Sequence, residues 1–511
     1  MIVAPDWEHI KALLFILSAY FLTCVVLYLG FKQFVYVRWT MASALVTAAA
    51  FLTGSPLVVL GIIVIIAWLA QASDKIDRLS LYLVLLPLLP VTWGILVPGV
   101  LPGINYLIDL GHPIYLSMLI LFPLLLTTLV NRQGREVLHC RGRTGLLDAL
   151  VFIYFLGVMI MSFQGTSMTG GLRFIVQMFF LIFLPYIIFS RFVKNLDDFF
   201  IVFRAFLFSS VLIACVAISS EYFSWNYYSI LSDSMQLHHI FPTAALVRDG
   251  LLRVEVTMIT PIALGYFLVI GLLAITIVSS WYEKRALLFS LLAILLLLAL
   301  FFTVSRGPWL AAFVFVSLFY MLLQRHVQRT FFLLLLASVG IGLLAIALGV
   351  DAPHDEYGSV AFRTRLIEIS LQVAAINPWF GSTEFYLNPL FDELRVDAGF
   401  IDIVNTYLYI LLRYGVFVLI LFSSILLCAF MQLLKQIRLL DRSEDTRIRR
   451  VGAGLAAIVA ATMVILGTVS SVSFIPIYYW ILIGLSVSFI RIADKHIKAS
   501  PAVDVQRQNN G

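Results

Sequence analysis

Charge is scarce in this chain. Asp, Glu, Lys and Arg make up 12% of its 511 residues, against 62% hydrophobic residues and a mean hydropathy of +1.02. An ordinary soluble domain carries about twice that share of charge. Cysteine occurs only four times. Cys24, Cys215 and Cys428 fall in apolar stretches and Cys140 in a basic loop, so neither a disulfide framework nor a Cys-type metal site is expected. His238 and His239 are adjacent rather than four apart, and no HxxxH or HExxH occurs, which removes the usual zinc arrangements. There is no Walker A sequence and no Rossmann glycine fingerprint, so neither ATP nor NAD is expected as a driver. Carboxylates keep to the ends of apolar stretches, which argues against proton-coupled transport. No metal and no cofactor is expected.

Long apolar runs are what the sequence does have. About fifteen stretches of roughly 15–25 residues suit a bilayer core, at 11–30, 39–53, 56–71, 79–97, 114–130, 146–163, 173–190, 199–218, 257–280, 286–304, 308–323, 330–350, 405–434, 451–470 and 477–490. Backbone in hydrocarbon must satisfy its own hydrogen bonds, and spans this long mean helices rather than barrel strands. The fold class is therefore all-α, a polytopic transmembrane bundle of about 14–15 spans. The stretches at 39–53 and 56–71 share the Gly54-Ser55-Pro56 break and form either a tight hairpin or one interrupted element. The first stretch follows Asp6 and Glu8 rather than a basic segment and reads as a retained helix.

Threading the spans alternately sorts the basic residues. Of the 34 Lys and Arg, 24 fall on one face, from Lys32/Arg38 through Lys435–Arg450 to Arg491–Arg507, and the positive-inside rule makes that face cytoplasmic. The net charge of +6 is thus mostly an orientation signal, and no nucleic-acid partner is expected. Arg204 and Arg413 lie within spans, Lys11 at a span edge. Seven arginines remain outside: Arg173, Arg248, Arg253, Arg306, Arg363, Arg365 and Arg395. Orientation has no use for them there, whereas phosphate oxygens match a guanidinium fork.

Two outer segments are long enough to build a site, 219–256 and 351–404. Within the second, Phe362, Leu366, Ile369 and Val373 recur at helical spacing, which predicts an amphipathic helix on the outer membrane surface, ended by Asn377-Pro378. Arg363 and Arg365 project about 200° apart on such a helix, so one small ligand cannot take both from one face. Arg365 and Glu368 stand at i, i+3, where a simple ion pair is the plain reading. Ser305-Arg306-Gly307 makes an outer turn with Pro308 at the next helix start, placing Arg306 where backbone N–H groups favour an anion; lipid anchoring is the alternative. Arg413, about two turns inside its span, is costly unless it has a function or a partner.

At this point the residues resemble the O-antigen ligase and O-antigen/exopolysaccharide polymerase superfamily of bacterial envelope glycosyltransferases. Three stretches carry the likeness, over roughly 170–430: Arg248-Asp-Gly-Leu-Leu-Arg253 with Thr260-Pro-Ile-Ala-Leu-Gly265; Ser305-Arg-Gly-Pro-Trp-Leu310; and Arg363–Glu368 through Asn377-Pro-Trp-Phe-Gly381 to Asp402-Ile-Val-Asn-Thr-Tyr407 and Gly415. In the ligases a His-[Asn/Ser/Gln]-x9-Gly motif supplies the group that activates the acceptor hydroxyl. Here Asn405 and Gly415 fit, but Val404 stands at the histidine position, and the Asp-Ile-Val-Asn-Thr-Tyr form looks more like the polymerase branch. Asp402 and Glu368 are the nearest carboxylates that could take a proton.

The resemblance implies a metal-independent, inverting glycosyltransferase of GT-C type in the bacterial inner membrane, active at the periplasmic face. Its donor would be a glycan on undecaprenyl diphosphate, its acceptor another glycan, and its partners membrane lipids and other exopolysaccharide assembly proteins. Arg306, Arg363, Arg365, Arg413 and Arg253 would hold the diphosphate; Asn405, Gly415, Gly307 and Gly381 would shape the site. The expected division is 1–172 N-terminal helices, 173–434 the ligase/polymerase-like core, 435–499 a cytoplasmic loop and C-terminal helices, and 500–511 a polar tail. The alternatives are a flippase for lipid-linked oligosaccharide, which would line a central route with arginine, and a non-catalytic partner in an assembly complex.

Overall fold

The computed structural model describes residues 6–90, 94–96, 109–130, 144–165, 167–234, 247–248, 251–323, 360–395, 401–440, 445–470 and 473–499. Fifteen helices of more than ten residues organise them: α1 (Trp7–Phe31), α2 (Val35–Thr53), α3 (Pro56–Leu69), α4 (Lys75–Leu85), α5 (His112–Val130), α6 (Gly145–Met161), α7 (Met168–Phe192), α8 (Leu196–Tyr222), α9 (Pro261–Val278), α10 (Ala286–Phe302), α11 (Arg306–Leu323), α12 (Val360–Ala374), α13 (Thr406–Leu439), α14 (Thr446–Leu466) and α15 (Ile475–Ala499). Among the described residues eleven helices are long and apolar enough to cross a membrane, with α3 and α6 shorter but apolar. The protein is a polytopic helical membrane protein.

Local sequence explains the boundaries. The Asp6 side chain caps α1 by accepting from His9 N, and Asn195 and Asp198 form a reciprocal capping box on α8. Gly54, at φ 55°, ends α2 in the left-handed region, so α2 and α3 are a hairpin of two helices packed on each other. The expected span 79–97 is not one helix: α4 stops at Leu85, a short 3₁₀ turn follows to Leu88, and Gly94–Leu96 pairs as β1 with β2, Asp109–Gly111. Pro87 and Pro90 remove the N–H groups that would continue the helix. A second ribbon pairs β3, Val247–Arg248, with β4, Leu251–Leu252. The expected span 330–350 and the tail 500–511 lie outside the described residues.

Helices α8, α9 and α15 are buried along most of their length. Their packing uses small residues: a Cβ on Gly271 would stand 2.6 Å from Ser210 Oγ, and one on Gly484 2.8 Å from the Tyr186 carbonyl. Helix α10 instead exposes Leu287, Leu291, Ile294, Leu298 and Phe301, an apolar stripe suited to lipid.

Contacts sort the helix ends into two sets, as the alternating thread requires. At one end Phe15 stacks on Tyr227 at 5.4 Å, Thr257 Oγ1 donates to the Pro87 carbonyl at 2.6 Å, Val254 N to Phe302 O at 3.2 Å, and Thr383 Oγ1 to Gln164 O at 2.6 Å. At the other, Gln33 Nε2 donates to Tyr282 OH at 3.0 Å, Arg285 lies over Phe31, Lys75 over Phe192 and Arg447 over Trp281. Lys75, Arg285 and Arg447 collect at the second end, and Arg253, Arg306 and Arg363 gather at the first, hereafter the arginine end.

The helix expected on a membrane surface has a different partner. In α12, Leu366, Ile369 and Val373 are buried, but against Leu408, Leu411 and Leu412 of α13 and Phe385, Phe391 and Leu394. Its apolar face is spent on protein, forming a small second core at the arginine end.

Candidate functional site

The α10–α11 turn fixes Arg306. Thr303 Oγ1 donates to Leu300 O at 2.7 Å, Ser305 Oγ to Thr303 O at 2.8 Å, and the Ser305 carbonyl accepts from Trp309 N at 3.4 Å, making Ser305 the helix N-cap. Val304 turns the chain at φ 44°, a left-handed conformation that a β-branched residue adopts only when its surroundings impose it. A Cβ on Gly307 would stand 2.6 Å from Thr468 Oγ1, and one on Gly265 2.5 Å from Pro308. Close packing therefore joins two of the resemblance stretches. Arg253 Nη2 reaches Ser305 Oγ at 3.3 Å.

Arg363, one turn into α12, meets this corner. Burial lowers its pKa, the neighbouring Arg306 lowers it further, and Asp402 opposes both. Among the described residues neither Arg306 nor Arg363 lies within ion-pair distance of a carboxylate, and the buried Arg363 Nε has no acceptor. Two cations thus share a partly dry corner. Asp402 accepts from Ser470 Oγ at 2.7 Å; burial raises its pKa, and Ser470 and Arg363 counter the rise.

Asn405 and Gly415 shape the helix that follows. Asn405 Oδ1 caps α13, accepting from Tyr407 N at 2.9 Å and Leu408 N at 3.1 Å. Val404 packs against the second core, so the position of the family histidine is apolar here. At Gly415 the helix breaks, with φ 80° and ψ 178°. The Asn377–Gly381 turn fills the break: Val416 N donates to Pro378 O at 2.8 Å, and Ser382 N to Leu412 O at 2.8 Å. Broken backbone at membrane depth needs such partners. The piece after the break, 416–439, is roughly 36 Å long at 1.5 Å per residue and can cross alone. If that piece makes the crossing, Arg413 stands near the membrane edge, where an ionised group costs less than two turns inside. It sits over the rings of Phe174, Tyr409 and Tyr414 at 5.5–5.8 Å.

Other expected site residues are engaged elsewhere. Arg365 is exposed and pairs with Glu368 at 2.8 Å and Glu393 at 2.5 Å. Arg395 pairs with Asp392 at 2.8 Å. One residue the sequence reading did not raise is Glu255, two positions after Arg253. It is 7% exposed, accepts from Asn226 Nδ2 at 2.9 Å, and burial pushes its pKa up to about 7 despite Asn226 and Arg253. The available signal was a lone carboxylate in the otherwise apolar run between Arg253 and Pro261.

These features define a multi-pass helical membrane protein with a cationic corner where three helix ends meet. Residues 291–423 match the model of the O-antigen ligase family. The match covers most of α10, all of α11 and α12 and the first half of α13, and so Arg306, Arg363, Asp402, Arg413 and both ends of the Gly381–Gly415 junction. This part of the chain is similar to the O-antigen ligase domain, in line with the motif resemblance. No curated protein matches the chain.

Proposed function

We propose that this protein transfers a glycan from undecaprenyl diphosphate to a second glycan at its arginine end, facing the periplasm, in O-antigen or exopolysaccharide assembly. The observation that carries the reading is the Arg306–Arg363 pair, two half-buried, neighbouring guanidiniums that have no carboxylate in ion-pair contact among the described residues. Such a pair is poorly compensated alone and well matched to a diphosphate, whose charge grows as the sugar–phosphate bond breaks. Fixed donors that meet developing charge are the strongest catalytic device available to a site of this kind. The N-terminus of α11 adds oriented N–H groups at the same corner. Arg253, tied to Ser305, extends the cationic surface. The transfer is read as inverting, with guanidiniums in the role a metal plays elsewhere.

The test is direct. Purified protein in liposomes receives an oligosaccharide on polyprenyl diphosphate, and products are resolved by mass. Longer lipid-linked glycans with release of polyprenyl diphosphate are the expected outcome. Movement of intact donor across the vesicle with no new glycosidic bond would replace this reading with the flippase.

A further inference from the structure

The missing histidine leaves a chemical gap. An acceptor hydroxyl must lose its proton as its oxygen bonds to the anomeric carbon, and Val404 can take none. Of the carboxylates considered from sequence, Glu368 is exposed in ion pairs with Arg365, and Asp402 is held by Ser470 and faces Arg363. We propose that Glu255 is the proton acceptor of the reaction, a role that rests on the transferase reading above.

Position is the first argument. Glu255 belongs to the same corner as the proposed diphosphate site, through Arg253, whose Nη2 reaches Ser305 beside Arg306. The second argument is how firmly the backbone holds it. Val256 and Ile259 both take positive φ, 52° and 65°, a conformation that β-branched residues adopt only under constraint. The segment is pinned from three sides, by Val254 N to Phe302 O, Thr257 Oγ1 to Pro87 O and Ser473 Oγ to Met258 O, and it closes on itself through Met258 N to the Glu255 carbonyl. Strain of this kind persists only where the structure over-determines it, and it concentrates at functional sites.

Chemistry is the third. Among the described residues the groups acting on the Glu255 carboxyl are Arg253 from its own segment and the neutral Asn226 across from it, while the 3₁₀ turn after α4, the end of α10 and the turn before α15 meet its segment through neutral hydrogen bonds. A carboxyl so placed changes charge near neutrality, which suits a general base. In the step, the acceptor oxygen bonds to the anomeric carbon, and the bond from that carbon to the phosphate oxygen breaks. Its electron pair leaves on the diphosphate, held by Arg306 and Arg363. The acceptor proton passes to the Glu255 carboxylate and then to water. Asp402 orients Arg363 instead of taking the proton.

The experiment compares Glu255→Gln, Glu255→Asp and Asp402→Asn in liposomes with the polyprenyl-diphosphate donor, measuring kcat and KM from pH 5 to 9, together with direct binding of a short-chain polyprenyl diphosphate. Gln keeps an oxygen for the Asn226 bond, so the fold should hold. Glu255→Gln should lower kcat by about 10²–10⁴-fold, remove the rise in wild-type rate through about pH 7, and leave diphosphate binding intact. Glu255→Asp should restore part of the rate and a pH limb. Full turnover by Glu255→Gln with an unchanged pH profile would overturn the proposal, as would loss of the limb in Asp402→Asn alone. If the wild type makes no glycosidic bond, or the diphosphate does not bind it, the transferase reading itself fails, and this role with it.

Discussion

Gly381 and Gly415 meet backbone to backbone. A Cβ on Gly415 would stand 2.2 Å from the Trp379 carbonyl oxygen, and one on Gly381 would stand 2.7 Å from Gly415 N. Both residues take positive φ, 61° and 80°, and Gly415 occupies an extended left-handed conformation open essentially to glycine alone. The contact locks the Asn377–Gly381 turn into the gap in α13, and so sets how the first turns of α13, with Asp402 before them and Arg413 within them, stand against α12.

Replacing Gly415 with Ala should therefore cost more than the usual glycine substitution. Backbone strain alone is worth about 1–3 kcal/mol, and the clash with Trp379 displaces the turn as well. The expected outcome is a lowered thermal midpoint in detergent and faster proteolysis within 376–395, with Gly381→Ala behaving the same way. Gly61, whose Cβ would meet nothing within 4 Å, is the control, and Gly61→Ala should be neutral in both measurements.

Much of this junction was open to a reader of the sequence, and part was not. Gly415 shows as the end of an Asn-x9-Gly spacing, yet its partner lies some 35 residues back, and no local pattern shows which backbone fills a broken helix. The helical pattern of Phe362, Leu366, Ile369 and Val373 gave α12 correctly but not the surface it covers, because an apolar stripe suits a lipid face and a protein face equally well. Continuous hydropathy through 79–97 hid the stop at Leu85, where Pro87 and Pro90 were the better guide. The outer arginines were recognisable as a class. Their sorting into Arg365 and Arg395, which are ion-paired, and Arg306 and Arg363, which have no ion pair among the described residues, depends on Glu393 and Asp392, carboxylates whose reach only the fold reveals.

That sorting gives a graded expectation. Arg306→Lys and Arg363→Lys keep charge but lose the bidentate fork. A hydrogen bond between charged groups is worth about 1.5–3 kcal/mol, so each should weaken binding of a short-chain polyprenyl diphosphate by about 10–100-fold. Because the two arginines share one corner, the double variant should lose less than the sum of the single losses. Arg285→Lys, at the opposite end beside Phe31, should bind like the wild type. Equal effects from all three substitutions would reduce the outer arginines to general membrane contacts.

Sidedness follows from the two sets of helix ends. Glu384 is exposed at the arginine end and Lys284 at the other. In a cysteine-free background, Glu384→Cys should react with a membrane-impermeant maleimide in intact cells, while Lys284→Cys should react only after the membrane is opened. The reverse pattern would place the cationic corner in the cytoplasm and remove the periplasmic donor from consideration.

Stability should run against activity at Glu255. Its carboxyl titrates near 7 in the folded protein, raised chiefly by burial, against an ordinary value of 4.5. The folded state then binds more protons than the unfolded state between these values. Stability is fully present below about pH 4.5 and is lost as pH rises to about 7, by about 3 kcal/mol at most on the scale of 1.36 kcal/mol per pH unit. Glu255→Gln removes the titration. The variant should match the wild type at pH 4.5 and unfold at a higher temperature at pH 8, while turning over far more slowly there. A residue that costs stability in its working protonation state is kept for what it does rather than for what it holds. Unfolding midpoints in detergent at the two pH values decide the point: a variant less stable than wild type at pH 8 would mean that the charged carboxylate is a structural partner of Arg253 and Asn226.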